Sequence, residues 1–452
     1  MPRQVTTHPG FDGCHSNGDL QYQKDNDMKI AVIGTGIAGN VTAYHLARDH
    51  DITVFEAASR IGGHTNTVDV KFAGENYAID TGFIVYNDRT YPNFIELMDD
   101  LGVGSQASNM GFSVQNEKTG LEYNGSTLNS LFAQRRNLLR SSFHRMLRDI
   151  LRFNDEAKSL LETDAPDLTL GDFLDQRGYG REFIDNYIIP MGGAIWSAVP
   201  EQMNRMPARF FVKFFDNHGL LSVKNRPTWR VIRGGSRNYV EKLIANHRDR
   251  IHRNARVQRV RRYPDHVEVK VSGEEPKRFD NVFIACHSDE ALGLLADPSA
   301  AEREVLGAIG YQDNEAVLHT DARQMPRSRR AWAAWNYHLL CRNTERVAVT
   351  YNMNILQGLD APVQFCVTLN NTRAIEPSQI IDTFQYSHPV FTPDAVAAQQ
   401  RHAEINGPRR TYYCGAYWRY GFHEDGVVSA LEALGHFQQR TRYEQRDFRR
   451  AS

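Results

Sequence analysis

Three glycines and one acidic side chain near the start of the chain have the types and spacing of a phosphate-binding site. Gly34, Gly36 and Gly39 form a G-x-G-x-x-G pattern directly after the apolar run 30–33. The first glycine of this pattern permits a tight turn, the second lets the backbone approach a pyrophosphate, and the third lets a helix pack closely on the strands. Glu56 follows about 20 residues after the first glycine, where an acid accepts hydrogen bonds from a ribose hydroxyl. The pattern therefore predicts a dinucleotide site.

These residues need a strand, a helix and a second strand to position them. The sequence predicts a buried strand at 30–33, a helix at 40–49 and a second strand at 52–55. The helix N-terminus would present free N–H groups and a positive dipole to the phosphates. The alternative is a glycine-rich turn with no ligand, but the flanking elements and the acid favour the dinucleotide site.

Composition sets the class of protein. The chain has 452 residues, of which 41% are hydrophobic and 24% charged, and its net charge of −1 gives no global attraction to nucleic acid. The five cysteines include no C-x-x-C pair, and no metal-binding motif occurs, so we expect no metal site and no disulfide framework. We expect a cytoplasmic protein, because no apolar run approaches the roughly 20 residues that span a bilayer and residues 1–27 lack a signal-like apolar region.

The segment after the predicted ribose acid narrows the choice of dinucleotide. Residues 60–64 read RIGGH, which resembles the R-x-G-G segment of FAD enzymes in the amine-oxidase, protoporphyrinogen-oxidase and phytoene-desaturase group. In that group the extra glycines let a second loop wrap around the FAD. The resemblance extends over about 29–435 and implies a non-covalently bound FAD.

Three later segments carry the same resemblance. The D-x-G segment 80–82 would pass beside the isoalloxazine, although a simple β-bulge is the alternative for Gly82. The backbone at Val257 would meet the adenine. The closing segment 411–431 would bring a glycine turn near the ribityl chain and a helix N-terminus, starting near Glu424 or Asp425, towards the flavin N1–C2=O edge.

The resemblance therefore implies a set of FAD-binding residues drawn from both ends of the chain. They are Gly34, Gly36, Ile37, Ala38, Gly39, Glu56, Ala57, Arg60, Gly62, Gly63, His64, Thr65, Gly82, Phe83, Val257, Gly415, His423, Glu424, Asp425, Gly426 and Val427. This chain departs from the family at Arg233, where a proline is usual, and at 423–426, where HEDG replaces M-E-G. No catalytic base is assigned, and we do not expect Cys286 to act as a nucleophile.

The expected fold class is α/β plus α+β: a Rossmann-like FAD-binding domain of the amine-oxidase type with an inserted mixed-sheet and helical substrate domain. The predicted FAD domain comprises 28–92, 230–300 and 408–438. The predicted substrate domain comprises 93–229 and 301–407 and includes a helical insertion at 131–160. Residues 1–27 would form a disordered extension, and 439–452 a frayed basic tail.

The middle of the chain carries the candidates for a substrate pocket. We expect Tyr86, Trp196, Trp335 and Tyr417 to line it. Around Trp196, the run 187–200 (YIIPMGGAIWSAVP) is typical of neither helix nor strand, and either lines a cavity or packs in the core.

A basic amphipathic helix is predicted at 131–153. Apolar residues that would form one face of the helix are interspersed with arginines along this segment. The apolar residues are Leu139, Phe143, Met146, Ile150 and Phe153, and the arginines are Arg135, Arg136, Arg140, Arg145, Arg148 and Arg152. Such a helix either lies on an anionic membrane surface, which would make the protein peripheral to the inner face of the membrane, or packs on a domain with its arginines solvated.

Within this group, the chain is most similar to bacterial FAD-dependent oxidoreductases linked to cyclopropane or methyl-branched fatty-acid synthesis. It also resembles the oxidase-like domain fused to plant cyclopropane fatty-acid synthases. The motifs that carry this resemblance are GAYW and GFHEDG in the closing segment, and IDTGF and YPNF nearer the start. The resemblance implies a two-electron, desaturation-type hydride transfer to the flavin from an unsaturated, methyl-branched or cyclopropane fatty acyl chain. One alternative is an amine oxidase or a protoporphyrinogen-oxidase-like enzyme. Another is a non-catalytic FAD-binding partner of a lipid methyltransferase.

Overall fold

The structure is a computed structural model. It describes residues 27–163, 167–222, 224–341 and 346–451, with backbone only for 443–451. The strands are β1 (Lys29–Ile33), β2 (Asp51–Phe55), β3 (Thr67–Phe72), β4 (Glu75–Asp80), β5 (Val85–Asn87), β6 (Ser105–Ala107), β7 (Phe112–Asn116), β8 (Leu121–Asn124), β9 (Trp229–Ile232), β10 (Ile251–His252), β11 (Val257–Arg262), β12 (Val267–Val271), β13 (Lys277–Phe279), β14 (Asn281–Ile284), β15 (Gly310–His319), β16 (Trp335–Leu339), β17 (Ala348–Asn352), β18 (Cys366–Leu369), β19 (Ile380–Val390) and β20 (Thr411–Tyr413). The helices are α1 (Ile37–Leu46), α2 (Pro92–Asp100), α3 (Leu128–Leu131), α4 (Ser141–Glu156), α5 (Leu170–Gln176), α6 (Arg181–Phe183), α7 (Ile189–Trp196), α8 (Pro200–Arg205), α9 (Ala208–Asn217), α10 (Arg237–Leu243), α11 (Ser288–Leu294), α12 (Ala300–Gly307), α13 (Met353–Gln357), α14 (Pro393–Gln399), α15 (His402–Ile405) and α16 (His423–Ala451). The expected disordered extension falls, except for Asp27, outside the described residues.

A parallel sheet is built around the first predicted strand. Its order is β10-β2-β1-β14-β20, and every neighbouring pair is parallel. Val32 of β1 lies opposite Val54 of β2 on one side and Phe283 of β14 on the other. These strands are apolar on both faces because α1 and α16 cover one side of the sheet and β11–β13 the other. The observed mixed fold, with both parallel and antiparallel pairing, confirms the predicted fold class.

A larger mixed sheet is assembled from the middle of the chain. Its order is β19-β15-β18-β17-β16-β7-β8, and only β7 and β16 pair in parallel. Helices α4 to α9 form an apolar core together with the β7, β8, β16 and β17 end of this sheet. The boundaries of the two predicted domains stay a prediction, but the parallel sheet and the mixed sheet draw their strands from the segments that the sequence assigned to them.

The expectation of one helix from 131 to 153 is wrong at its start. Helix α3 ends at Leu131, a 3₁₀ turn occupies Arg135–Leu138, and α4 begins only at Ser141. Arg140 has an extended backbone (φ −90°, ψ 106°), which separates the turn from the helix. Consequently Leu139 does not join the buried face that α4 does form with Phe143, Met146 and Phe153, and it is 93% exposed.

The run around Trp196 is helical, contrary to the expectation from its glycines and prolines. A π-helical turn at Ile184–Ile188 leads directly into α7, which ends where Ser197 adopts a left-handed backbone (φ 54°). A Cβ atom at Gly192 would lie 2.4 Å from Cε of Met203, and one at Gly193 would lie 3.0 Å from the Ala198 carbonyl oxygen. The glycines therefore serve close packing rather than chain reversal.

The expected frayed tail is also wrong for the part that is described. Helix α16 continues through residue 439 without interruption to Ala451. Five of the residues 439–451 are arginines, which are good helix formers. Within the described ranges, no helix is both long and apolar enough to cross a membrane.

A buried ion pair joins strand β11 to helix α12. The guanidinium of Arg262 contacts both carboxylate oxygens of Glu302, at 2.7 and 3.0 Å, and donates to Asp297 at 2.9 Å. The hydroxyl of Tyr413, on β20, donates to Glu302 at 2.6 Å. The side chains of Arg262 and Glu302 are 1% and 4% exposed, so each charge depends on the other for compensation.

We expect Glu302→Gln to lower the free energy of unfolding by about 3–5 kcal/mol near pH 7, because it leaves the Arg262 charge buried with only Asp297 to compensate it. Burial opposes ionisation of Glu302, but the bonds from Arg262 and Tyr413 prevail and lower its pKa from 4.5 to about 2. A lowered carboxyl pKa stabilises the folded state above pH 4.5, and this stabilisation is lost as the pH falls towards 2. Urea unfolding across this pH range measures both effects.

The matched control is Glu304→Gln, which removes an exposed carboxylate that pairs with Arg401 at 3.0 Å. Exposed pairs contribute about 0–1 kcal/mol. Equal destabilisation by the two substitutions, or a Glu302 effect that does not shrink on acidification, would contradict this account of the buried pair.

Candidate active site

The glycine turn between β1 and α1 combines close packing with open space. Gly34 has a left-handed backbone (φ 100°), and its N–H donates to the Phe55 carbonyl at 2.8 Å. A Cβ atom at Gly39 would lie 2.0 Å from the Gly34 carbonyl oxygen, so only glycine lets α1 approach the turn. A Cβ atom at Gly36 would meet nothing within 4 Å. The free space at Gly36, directly before the N-terminus of α1, is where the motif predicts a pyrophosphate.

Glu56 lies at the end of β2 and faces the same turn. Its carboxylate accepts hydrogen bonds from the N–H of Thr35 at 3.0 Å, from the Thr35 hydroxyl, and from the N–H of Ala58 at 2.8 Å. The Ala255 N–H donates to the Glu56 carbonyl at 2.8 Å, which brings the start of the Val257 strand beside Glu56 and the exposed Ala57. The predicted ribose and adenine residues are therefore neighbours.

The RIGGH segment forms a second loop against the first. Gly62 and Gly63 both have positive φ angles, of 126° and 59°, and the Arg60 guanidinium donates to the Thr65 carbonyl at 2.7 Å. A Cβ atom at Gly63 would lie 2.9 Å from the α-carbon of Gly36. The two glycine loops thus touch through their backbones.

The D-x-G segment approaches this second loop from the other side. The N–H of Phe83 donates to the His64 carbonyl at 2.8 Å, and a Cβ atom at Gly82 would lie 2.1 Å from the same oxygen. The Phe83 ring stacks on the His423 ring, with centroids 3.4 Å apart and planes 12° apart. Residues 82–83 therefore connect the second loop to the closing helix.

The closing segment packs directly on the first helix. A Cβ atom at Gly426 would lie 2.5 Å from Cγ2 of Ile37, and Val427 and Ala38 are buried beside them. The N–H of Gly415 donates to the Ser429 hydroxyl at 2.9 Å, which fixes the turn after β20 to helix α16. Four predicted cofactor residues thus come together at the start of α1, namely Ile37, Ala38, Gly426 and Val427.

Two acidic residues at the start of α16 have structural partners. Glu424 accepts from the N–H groups of Asn93 and Phe94, at 3.1 and 2.9 Å, and so caps the N-terminus of α2. Asp425 accepts from the N–H groups of Phe422 and Tyr420 at 2.9 and 3.2 Å, which caps α16 itself. Burial raises the pKa of Asp425 to about 7, although these bonds oppose the shift. The cap by Glu424 is a role that its proposed cofactor contact did not anticipate.

Two polar groups outside the set of predicted FAD-binding residues are central to the site. The hydroxyl of Tyr239 lies 2.5 Å from the Thr65 hydroxyl and 3.0 Å from Nε2 of His423. Burial lowers the pKa of His423 to about 3, so this imidazole is neutral. Tyr239 belongs to the amphipathic helix after the glycine pair 234–235, where its spacing indicates only a core residue.

Asp80 is the second such group. It accepts from the Thr67 hydroxyl at 2.6 Å and from the N–H and hydroxyl of Ser236 at 2.9 and 2.7 Å. Burial raises the pKa of Asp80 to about 6, against the effect of these bonds. Its position two residues before Gly82, in the D-x-G motif, was the available signal.

His64 lies in a buried group of aromatic and imidazole rings. Its ring centroid is 5.1 Å from that of Tyr386, 5.4 Å from that of His388 and 6.0 Å from that of His287. Burial and these imidazoles lower the pKa of His64 well below its usual range, so it is neutral. Among the described residues, no group bonds to Nε2 of His64. Buried polar atoms rarely stay unpaired, so this atom and the space at Gly36 fit a bound dinucleotide.

The four aromatic residues predicted to line a substrate pocket do not form one group. Tyr86 packs in the core beside α1 and α2, and Tyr417 packs in the core behind β20. Trp196 lies among the helices, where its indole N–H donates to the Tyr420 carbonyl at 3.2 Å. Trp335 packs against that same helical core from β16. Burial raises the pKa of Cys286 well above its usual range, which disfavours a thiolate there.

We expect Gly36→Ala to fold like the native protein but to retain FAD at least about tenfold less tightly, because its methyl group occupies the space predicted for the pyrophosphate. Flavin absorbance per protein and the unfolding midpoint of the apoprotein separate the two effects. Gly293→Ala is the matched control, since its Cβ atom also meets nothing within 4 Å. A Gly36→Ala protein with full flavin content would contradict the assignment of this space.

We expect His64→Asn to shift the visible flavin spectrum and the flavin reduction potential and to weaken FAD retention. The amide of Asn can replace the ring nitrogen that bonds the Ser387 backbone, but it does not reach the position of Nε2. His64→Gln reaches the Nε2 position and should restore part of the native spectrum. Identical spectra and potentials for all three proteins would show that Nε2 does not contact the cofactor.

Two curated proteins match parts of the sequence. The chain is 33% identical to the carotenoid phi-ring synthase of Chlorobaculum tepidum over 97 residues, which cover 21% of this chain and 15% of that protein. It is 27% identical to protoporphyrinogen oxidase 2, chloroplastic/mitochondrial, of Arabidopsis thaliana over 194 residues, which cover 41% of this chain and 36% of that protein. The matched stretches thus span well under half of either relative.

Solved structures share the fold over nearly the whole chain. Cyclohexylamine oxidase from Brevibacterium oxydans IH-35A superposes with a TM-score of 0.63 at 14% identity, covering 92% of this chain and 100% of that one. The fatty acid isomerase from P. acnes that produces CLA superposes with a TM-score of 0.64 at 17% identity, covering 92% and 100%. At these identities the likeness concerns the fold alone.

A family model supplies the class of enzyme. The model for flavin-containing amine oxidoreductases matches residues 37–327, which is more than half of the chain. This match confirms the predicted superfamily and the predicted FAD cofactor, and the matched residues include the second glycine loop and the D-x-G segment. The chain belongs to the family of flavin-containing amine oxidoreductases and is an FAD-dependent oxidoreductase.

Proposed function

We propose that this oxidoreductase removes two electrons from a carbon of an apolar fatty acyl chain. The observation that carries the proposal is a set of aromatic side chains that runs from the helical region to the closing segment of the flavin site. We call this set the aromatic wall. Its members are Trp196, Phe210, Phe214, Phe391, Tyr420 and Phe422.

The aromatic wall is continuous through ring contacts. The Phe210 ring lies 4.6 Å from that of Tyr420 and 5.0 Å from that of Phe391, and the Phe214 ring lies 4.7 Å from that of Trp196 and 5.2 Å from that of Phe422. Such contacts fix flat apolar surfaces without polar groups between them. They suit the recognition of a hydrocarbon chain better than that of a hydrophilic substrate.

The wall ends directly beside the flavin site in sequence and in space. Phe210, Tyr420 and Phe422 are only partly buried, so part of their apolar surface is accessible. Phe422 immediately precedes His423, whose ring stacks on Phe83. A chain lying along the wall would therefore be guided towards the end of α16 that the family resemblance directs at the flavin.

The acidic groups in this region are already engaged, which favours an uncharged substrate carbon. Asp425 accepts from two N–H groups of the wall segment, Glu424 caps α2, and Asp80 accepts from Ser236 and Thr67. An ammonium group would need a carboxylate or an aromatic cage to replace its hydration. The carboxylates named here have other partners, so an ammonium group would depend on the rings of the wall alone.

The residues of this chain supply binding, orientation and exclusion of water. The two glycine loops and Glu56 hold the dinucleotide, and bound FAD supplies the acceptor for a hydride. The aromatic wall would hold the acyl chain and keep water from the reacting carbon. The imidazoles of His64 and His423 are neutral and therefore add no positive charge to this region.

The test is anaerobic mixing of the FAD-loaded protein with a panel of substrates while flavin absorbance is followed. We expect methyl-branched or unsaturated acyl chains, free or in phospholipid, to bleach the flavin. Bleaching by amines alone would establish an amine oxidase instead, and bleaching by a porphyrinogen alone would establish the protoporphyrinogen-oxidase alternative. A protein that no compound reduces, but that changes the rate of a lipid methyltransferase, would establish the non-catalytic alternative.

We expect Phe210→Ala to raise the half-saturating concentration of the acyl substrate about tenfold, because it removes a ring that contacts three members of the wall. Its flavin content should not change, since Phe210 touches none of the glycine loops. Phe72→Ala is the matched control, because Phe72 is also partly buried but lies on β3 against Phe365. An equal change in both variants would contradict a role for the wall in substrate binding.

A further inference from the structure

Exposed leucines are concentrated in one short segment of the helical region. Among the described residues, the large hydrophobic side chains that are more than about a third exposed are few, and most lie within 128–151. These are Leu128 (77%), Leu138 (49%), Leu139 (93%) and Leu151 (57%). Isolated exposed leucines are common on proteins, whereas a cluster of them marks an interaction surface.

Helix α4 fixes the orientation of this cluster. Its inner face is anchored by Phe143, Met146 and Phe153, all buried. Its outer face carries His144, Arg148 and Leu151 at positions i, i+4 and i+7, and all three are exposed. Leu151 therefore points away from the domain and is held there by a rigid helix rather than by a loose loop.

Arginines surround the leucines. Residues 128–151 contain five arginines and a single acidic residue, Asp149, which is buried and accepts from the Gly180 N–H at 3.0 Å. Arg145 pairs with Glu182 at 3.2 Å. The other four have no carboxylate within 4.0 Å among the described residues. They are Arg135, Arg136, Arg140 and Arg148.

Two of these guanidinium groups shape the surface. Arg135 donates to the Phe132 carbonyl at 2.9 Å, and Arg136 donates to the Gly120 carbonyl at 2.7 Å. Both side chains keep their charge uncompensated by an acid while they hold the turn that carries Leu138 and Leu139. The chain as a whole has a net charge of −1, so the positive charge is a local property of this surface.

We propose that Leu128, Leu138, Leu139, Leu151 and the four unpaired arginines form a docking surface for an anionic phospholipid bilayer. We call it the leucine–arginine surface. Leucines can enter the boundary between headgroups and acyl chains, while the arginines bind lipid phosphates. A second copy of this chain fits less well, because a two-fold interface would place the arginines of one copy against those of the other. The proposal concerns attachment and does not depend on the substrate.

The experiment is co-sedimentation of the full-length, FAD-loaded protein with vesicles of phosphatidylcholine alone or mixed with phosphatidylglycerol. We expect binding to the mixed vesicles and at least about tenfold weaker binding to the neutral ones, with the difference reduced by added salt. No binding to the mixed vesicles would overturn the proposal.

Two variants test the two components of the surface. Leu138→Ser with Leu139→Ser should weaken binding about tenfold or more by removing the inserted apolar groups. Arg140→Gln with Arg148→Gln should weaken it roughly 25-fold on anionic vesicles, at about fivefold for each arginine. The substituted leucines and Arg148 are exposed, and Arg140 is only partly buried. The flavin content and the unfolding midpoint of both variants should therefore match those of the native protein.

Matched controls lie elsewhere on the chain. Ile381→Ser removes an apolar side chain that is 38% exposed on β19. Arg303→Gln with Arg373→Gln removes two exposed arginines. Equal loss of binding in the controls would overturn the proposal, as would self-association in light scattering that the leucine substitutions abolish in the absence of lipid.

Discussion

Contact between backbones at glycines is the constraint on which this structure depends. Helix α1 approaches its own preceding turn at Gly39, the second loop approaches the first at Gly63, and the D-x-G segment approaches the second loop at Gly82. In each case a single methyl group would lie within 3 Å of a main-chain atom. Side chains are excluded from these junctions, so N–H groups and open space remain where a dinucleotide must lie. The fold around the site is thus organised by the absence of side chains.

Polar groups perform the complementary task of joining distant segments. Asp80 links the end of β4 to Ser236, at the start of α10, and Glu424 links the start of α16 to the start of α2. Each carboxylate is buried and is satisfied by N–H or hydroxyl donors, which makes these contacts specific as well as stabilising. The cofactor region therefore consists of sequence-distant pieces held by a few directional bonds, with apolar cores on either side.

Sequence reasoning succeeded where the signal is local. The strand–turn–helix unit around Gly34–Gly39 and the second glycine loop each depend on residues that are neighbours in sequence, and the family comparison confirms the cofactor that they imply. The contact of Glu56 with a ribose stays a prediction. It failed where tertiary contacts decide. The helical state of the run around Trp196 depends on packing against Met203, and no local pattern shows that Tyr239 meets His423 or that Glu424 caps another helix. The exposure of Leu139 depends on where a turn ends, which periodicity does not fix.

The order of strands in the parallel sheet has a consequence for biosynthesis. Strand β1 pairs with β2 within the first 55 residues, but its other neighbour is β14, and the sheet is completed only by β20 at Thr411–Tyr413. The helix that covers the first glycine loop follows later still, at His423. During translation, the chain must therefore carry an open sheet edge and an unfinished nucleotide cradle until β20 and the start of α16 have left the ribosome. Flavin can act as a late folding partner, which binds only when the last helix closes on the first.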